Sequence, residues 1–161
     1  MATSPSFPRL TPGGPSVALG LCRQVIDGVG ATRTLAPEES GALCLFDRAA
    51  GVVYTLPPPQ VGMEFEFRST VAVTSNAYKV ITNSASVFIV GSLMAGSLTV
   101  ADSGDVFQGD GTTHVAVSSA GSTTGGLIGG CYKLTAISST QWSIEGDLVG
   151  SGTLATPFTT S

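Results

Sequence analysis

Residues 63–73, MEFEFRSTVAV, place Phe65, Phe67 and Ser69 at alternate positions, with Glu64, Glu66 and Arg68 between them. Successive side chains of an extended strand point to opposite faces, so this stretch predicts a strand with one buried and one wetted side. Residues 131–137, CYKLTAI, repeat the pattern: Tyr132, Leu134 and Ala136 oppose Lys133, Thr135 and Ile137. Outward from these two, strand-sized segments recur at 31–35, 42–46, 52–56, 78–82, 86–90, 97–101, 105–107, 113–118 and 141–145, each bounded by glycine, proline, asparagine or clustered serine.

Two connections carry hairpin chemistry. Asp47–Gly51, DRAAG, suits a five-residue loop with Gly51 at positive φ, and Ser138–Thr140 joins the segments ending at Ile137 and starting at Gln141. Residues 35–41, LAPEESG, suit one short helical turn, with Pro37 at a first helical position and Glu38 and Glu39 near its N-terminus. No stretch sustains a 3.6-residue apolar period, so helix content is small. Residues 120–130 read as a loop, and 150–161 as an edge strand or a loose end. The fold expected is all-β, a small antiparallel β-barrel or β-sandwich over residues 31–161.

Residues 1–30 differ in kind. Four of the nine prolines fall within the first fifteen positions, which excludes a helix or an inner strand there. The stretch reads as an extended Pro-rich arm: either a loose tail or an arm laid on a neighbour through Phe7, Leu10, Val17, Leu19 and Leu21. Prolines and glycines at 5, 8 and 12–15 break the apolar run that an export signal needs, so synthesis in a cytoplasm is expected.

Composition bounds the function. The chain has 161 residues, sufficient for one domain, and 11 % of them are charged, against about a quarter in ordinary soluble domains. Glycine, serine and threonine together supply 59 residues. Mean hydropathy is +0.35, yet no apolar run approaches membrane-spanning length. Such a chain covers its surface with hydroxyls or with other subunits. A net charge of −4 and five scattered arginines with two lysines argue against nucleic acid as a partner.

Reactive groups are sparse. Cys22, Cys44 and Cys131 are too widely spaced for a zinc site and read as free thiols, with Cys44 buried; a Cys22–Cys131 bridge is left open. His114, the only histidine, lies in the strand-like THVAV, and a Cys131–His114 pair with an aspartate is the sole nucleophilic arrangement available. Asp102, Asp105 and Asp110 lack calcium-loop spacing and suit turns. Glu64 and Glu66 share a strand face, but Arg68 beside them suggests an ion pair in place of paired acids. Trp142 lies near Tyr132 across the second hairpin: an exposed pair would stack on sugars, and a buried one would serve the core or a subunit interface. The sole tryptophan of so aromatic-poor a chain favours the buried use. No enzyme, cofactor or metal site follows from these residues.

The stretch from Leu35 to Thr82 resembles a β-rich segment of tailed-bacteriophage virion proteins. It has Glu39-Ser40-Gly41 as a turn, the Asp47–Gly51 connection, Leu56-Pro57 at a strand end, and Gly62 to Phe67 as Gly-x-x-Phe-x-Phe. Residues 131–146, ending in Gln-Trp142-Ser-Ile-Glu-Gly146, are similar to the last hairpin of such proteins. The resemblance implies a capsid decoration (cement) protein, a homotrimer on the virion surface that binds the outside of the major capsid protein shell and stabilises it. The alternatives it leaves are a head-fibre or tail-fibre module, or a carbohydrate-binding domain for host attachment. On that implication the arm reaches the capsid, with Phe7, Arg9 and Leu10 as contact candidates and Tyr132 and Trp142 as interface or core residues.

Overall fold

A computed structural model describes residues 23–28, 30–100 and 104–161. Within these residues twelve strands form two layers. In chain order they are β1 (Val25–Ile26), β2 (Thr32–Thr34), β3 (Leu43–Phe46), β4 (Val52–Thr55), β5 (Glu64–Ser69), β6 (Tyr78–Ile81), β7 (Phe88–Ser97), β8 (Gly104–Asp110), β9 (Ala116–Ser119), β10 (Cys131–Ala136), β11 (Gln141–Gly150) and β12 (Phe158–Thr159). One sheet runs β1-β3-β5-β10-β11-β7-β8, the other β12-β9-β6-β4-β2. Both have free ends, so the architecture is an open all-β sandwich, not a closed barrel. Among the described residues the one helical element is the 3-10 turn Pro37–Glu39, where the Glu39 carboxylate accepts the Ala36 N–H at 2.8 Å.

Pairing is mixed where antiparallel pairing was expected. β1 pairs β3 and β3 pairs β5 in parallel in the first sheet, as do β2 with β4 and β4 with β6 in the second. Each of the first six strands thus changes layer, and the chain winds as a two-layer coil. Asp47–Gly51 is accordingly a corner between layers and not a hairpin. Gly51 does take φ +82°, and a Cβ there would meet the Ala77 carbonyl oxygen at 2.6 Å. The second expected hairpin is present: β10 and β11 pair antiparallel, Ala136 opposite Trp142, around Ser138–Thr140.

Alternation explains the layering. β5 buries Phe65, Phe67 and Ser69, and β10 buries Tyr132, Leu134 and Ala136, in register as Phe67 with Tyr132 and Phe65 with Leu134. The other layer supplies Tyr54, Tyr78, Val80 and Val117 to the same core. Two tyrosines fasten the layers together: Tyr54 Oη donates to the Leu45 carbonyl at 2.8 Å and Tyr78 Oη to the Val71 carbonyl at 2.9 Å. These acceptors spare the two phenols the cost of going unpaired, about 1–3 kcal/mol, whereas the buried Tyr132 Oη has no partner among the described residues. Residues 25–26, inside the stretch assigned to the arm, are tied to the first sheet, and Arg23 binds Glu66.

Candidate functional site

Phe7, Arg9 and Leu10 lie outside the described residues, as do Cys22 and Asp102. Tyr132 and Trp142 are core residues, 4 % and 0 % exposed. Trp142 leans on Phe65, and Tyr132 stacks on Phe67 at a centroid distance of 5.5 Å. Burial holds the Tyr132 phenol protonated by raising its pKa. Neither ring has a free face for a sugar, which removes the platform on which the carbohydrate-binding alternative rested.

The structure does not assemble the nucleophilic arrangement. Cys131 lies opposite Asp147, whereas the His114 carbonyl accepts the N–H of Ile89, which pairs with Trp142. Between Trp142 and Asp147 run roughly 17 Å of strand. His114 Nδ1 accepts the Asp110 N–H at 3.2 Å. The Asp110 carboxylate in turn accepts the Thr113 hydroxyl and the N–H groups of Thr112 and Thr113, bonds that hold its pKa well below the usual range. Asp110 therefore closes a turn. Asp105 and Asp110 sit an odd number of residues apart on β8 and point to opposite sides of the sheet, so they cannot chelate one ion. Among the described residues no group of three or more metal-ligating side chains converges.

Cys44 is fully buried, and desolvation, followed by the nearby Glu39 charge, pushes its thiol up to about 12. A thiol held protonated is a poor nucleophile. Glu66 is engaged by Arg23 and, at 3.3 Å, by Arg68; the ion pair expected from the sequence is present. A surface cleft of about 380 Å³ is lined in part by Arg48, Asn76 and Lys79, but Arg48 donates to the Gly51 carbonyl and Lys79 to that of Ser161.

The outer surfaces are more informative. The seven-stranded sheet carries ion pairs outward, Glu66 with Arg23 and Arg68, and Lys133 with Glu145 at 3.0 Å. Across the outer face of the five-stranded sheet run rows such as Thr32, Val53, Lys79 and Ser118, with hydroxyls and β-branched groups around one lysine. At the β7–β8 end Met94 and Val106 sit directly opposite one another, 60 % and 59 % exposed, with Leu98 and Val100 at the adjoining turn 71 % and 43 % exposed. Among the described residues β8 is an edge strand, its outer N–H and C=O groups facing no neighbouring strand of the sheet.

The sequence reading missed this strip because it ended one strand at Val90 and began the next at Ser97. β7 is continuous through Gly91, which takes φ +123°. Buried Leu93 and Ala95 alternating with exposed Ser92 and Met94 were the available signal. Among the described residues the site presents an apolar strip beside the outer strand of a sheet. Comparison with protein-family models, with curated proteins and with solved structures returns no match.

Proposed function

We propose that this chain is a non-enzymatic bacteriophage virion protein, a capsid decoration protein that binds the outside of the major capsid protein shell as a homotrimer and stabilises it. The observation that carries the reading is the apolar strip of Met94, Leu98, Val100 and Val106 in a chain with so few charges. Fully burying a Val, Leu or Met side chain is worth about 1.5–3 kcal/mol, so four on one hairpin favour a surface that works covered. The interface cores of assemblies are likewise depleted of charge. The resemblance over residues 35–82 and 131–146 supplies the capsid context. Residues 1–15, with Phe7, Arg9 and Leu10, supply the contact to the shell.

Electron microscopy of intact particles tests the reading. Many copies at regular positions over the shell are expected; a few copies confined to a vertex or tail would overturn it. A chain lacking residues 2–15 keeps β1 and should fold yet fail to bind shells. A second reading, a head- or tail-fibre module, is favoured by the parallel stacking of β1–β6, since turns of a coil add along an axis.

A further inference from the structure

We propose that the cleft at the start of β4 and β6 is a binding site for a compact hydroxylated monocarboxylate, the chemical class of the uronic acids. The inference goes beyond the capsid reading and does not depend on it. Arg23 and Arg68 meet the carboxylate of Glu66, Arg33 meets Glu39, and Lys133 meets Glu145. Arg48 and Lys79 have no carboxylate partner among the described residues, and Asp102 is the one acidic residue outside that set. These two cations line the same cleft, in a chain whose net charge is −4.

The cleft forms where the Asp47–Gly51 corner meets the connection leading into β6. The Ala49 carbonyl accepts the Thr74 N–H at 2.8 Å, Asn76 Nδ2 donates to the Ala50 carbonyl at 2.9 Å, and the Val52 N–H donates to the Ala77 carbonyl at 3.2 Å. Walls tied together in this way are set before a ligand arrives, which lowers the ordering cost of binding. Asp47, next to Arg48, accepts the Gly28 N–H at 2.9 Å and does not line the cleft. Arg48 uses one donor on the Gly51 carbonyl, and Lys79 uses one on the Ser161 main-chain oxygen. A guanidinium has five N–H donors and an ammonium three, so both keep donors for a ligand.

The ligand class follows from charge, size and the neighbouring acceptors. A carboxylate presents two oxygens in one plane, which a guanidinium fork and an ammonium can share. The volume of about 380 Å³ lies near the lower end of the range for small-ligand sites, roughly 300–1,000 Å³, and suits a body the size of one sugar ring. Thr32 and Asn76 also line the cleft, and the Thr32 hydroxyl and Asn76 Oδ1 can accept from ligand hydroxyls. The net charge of −4 holds off more highly charged anions, which favours one negative charge over the two of a phosphate. Among the described residues no carboxylate and no aromatic ring line the cleft, so recognition rests on charge and hydrogen bonding and not on stacking.

Titration of the full chain with sodium D-glucuronate, followed by amide NMR spectra, tests the proposal. Saturable shifts centred on the backbone amides of Gly51, Ala77 and Lys79 are expected. D-glucose, which lacks the carboxylate, should produce none, and this comparison needs no variant. Arg48→Met and Lys79→Met should each weaken glucuronate binding about tenfold or more, the effect of losing one charge-assisted bond. Lys133→Met, on the other sheet, should leave the affinity unchanged. Absence of saturable shifts with glucuronate, or shifts centred elsewhere, would overturn the proposal. Equal binding of glucose would remove the role of charge, equal binding of acetate that of the hydroxyls, and equal binding of inorganic phosphate the choice of a carboxylate; each is equally fatal. Because no capsid is present, failure of shell binding leaves these outcomes untouched.

Discussion

Phe46 of β3 and Tyr78 of β6 stack face to face across the two layers, with ring centroids 4.6 Å apart and planes 18° from parallel. Tyr54 and Phe67 also lie against Phe46, which makes this ring the point at which both sheets meet. Phe46→Ala should therefore cost about 3–5 kcal/mol, the range for a buried aromatic truncation. Tyr78→Phe keeps the stack and loses only the bond to the Val71 carbonyl, costing about 1 kcal/mol. Urea titration checks both; equal losses would mean that the stack contributes nothing beyond the hydroxyl.

Two backbone positions provide a matched comparison. Gly91 has φ +123°, and a Cβ there would approach the Ile144 carbonyl oxygen to 2.2 Å; Gly96, in the same strand, has open space around it. Gly91→Ala should destabilise by roughly 1–3 kcal/mol or more, because backbone must move. Gly96→Ala should stay within about 0.5 kcal/mol of the parent. Thermal unfolding of the pair decides; similar melting temperatures would show that the β7–β11 pairing tolerates displacement.

Stability should fall in acid through Glu66. Its bond from Arg23 is the largest influence, with a smaller one from Arg68, and its pKa lies below the ordinary 4.5. A carboxylate depressed in the folded state contributes stability that is fully present above its unfolded pKa and is lost as pH falls through the folded value. The parent and Glu66→Gln should therefore differ at pH 6 and converge as pH drops below about 4.5. Asp110, also depressed, is common to both proteins and cancels in the comparison. A difference that persists unchanged into strong acid would remove the charge from the explanation.

The thiols should separate by environment. Cys44 is buried with its pKa pushed up to about 12, while Cys131 is half-buried at the start of β10. Iodoacetamide at pH 8 should modify Cys131 and spare Cys44 until denaturant is added, as read by peptide mass spectrometry. Modification of Cys44 in the native protein at the rate of Cys131 would mean that the core opens at β3.

Individual strands were legible because alternation is local. Phe65 and Phe67, like Tyr132 and Leu134, announce their inward face within a few residues of chain. Which layer a strand joins was not legible, because a five-residue Gly-ended connection serves a hairpin and a corner equally well, and Asp47–Gly51 is a corner. The choice rests on contacts far apart in sequence, such as Phe46 with Tyr78, which no local pattern encodes. Of the candidate residues, the buried use of Tyr132 and Trp142 followed from aromatic scarcity. Met94 and Val106 escaped because Gly91 looks like a strand end when it stands for a close approach of β11.

The winding of the first six strands between layers also governs how the chain acquires its structure. β1, β3 and β5 bond to one another only after an intervening strand has been laid in the opposite layer, so none of these bonds rewards a short loop. The β10–β11 hairpin is the pairing with the shortest connection, and it lies at the far end of the sequence. During synthesis the N-terminal half emerges without its partners, and the sheet can close only once β10 supplies the flank of β5. Topologies dominated by such distant pairings fold slowly, on the millisecond-to-second scale. A newly made chain thus exposes its apolar strands for longest while neighbouring copies are being made, so assembly competes with association from an incomplete state.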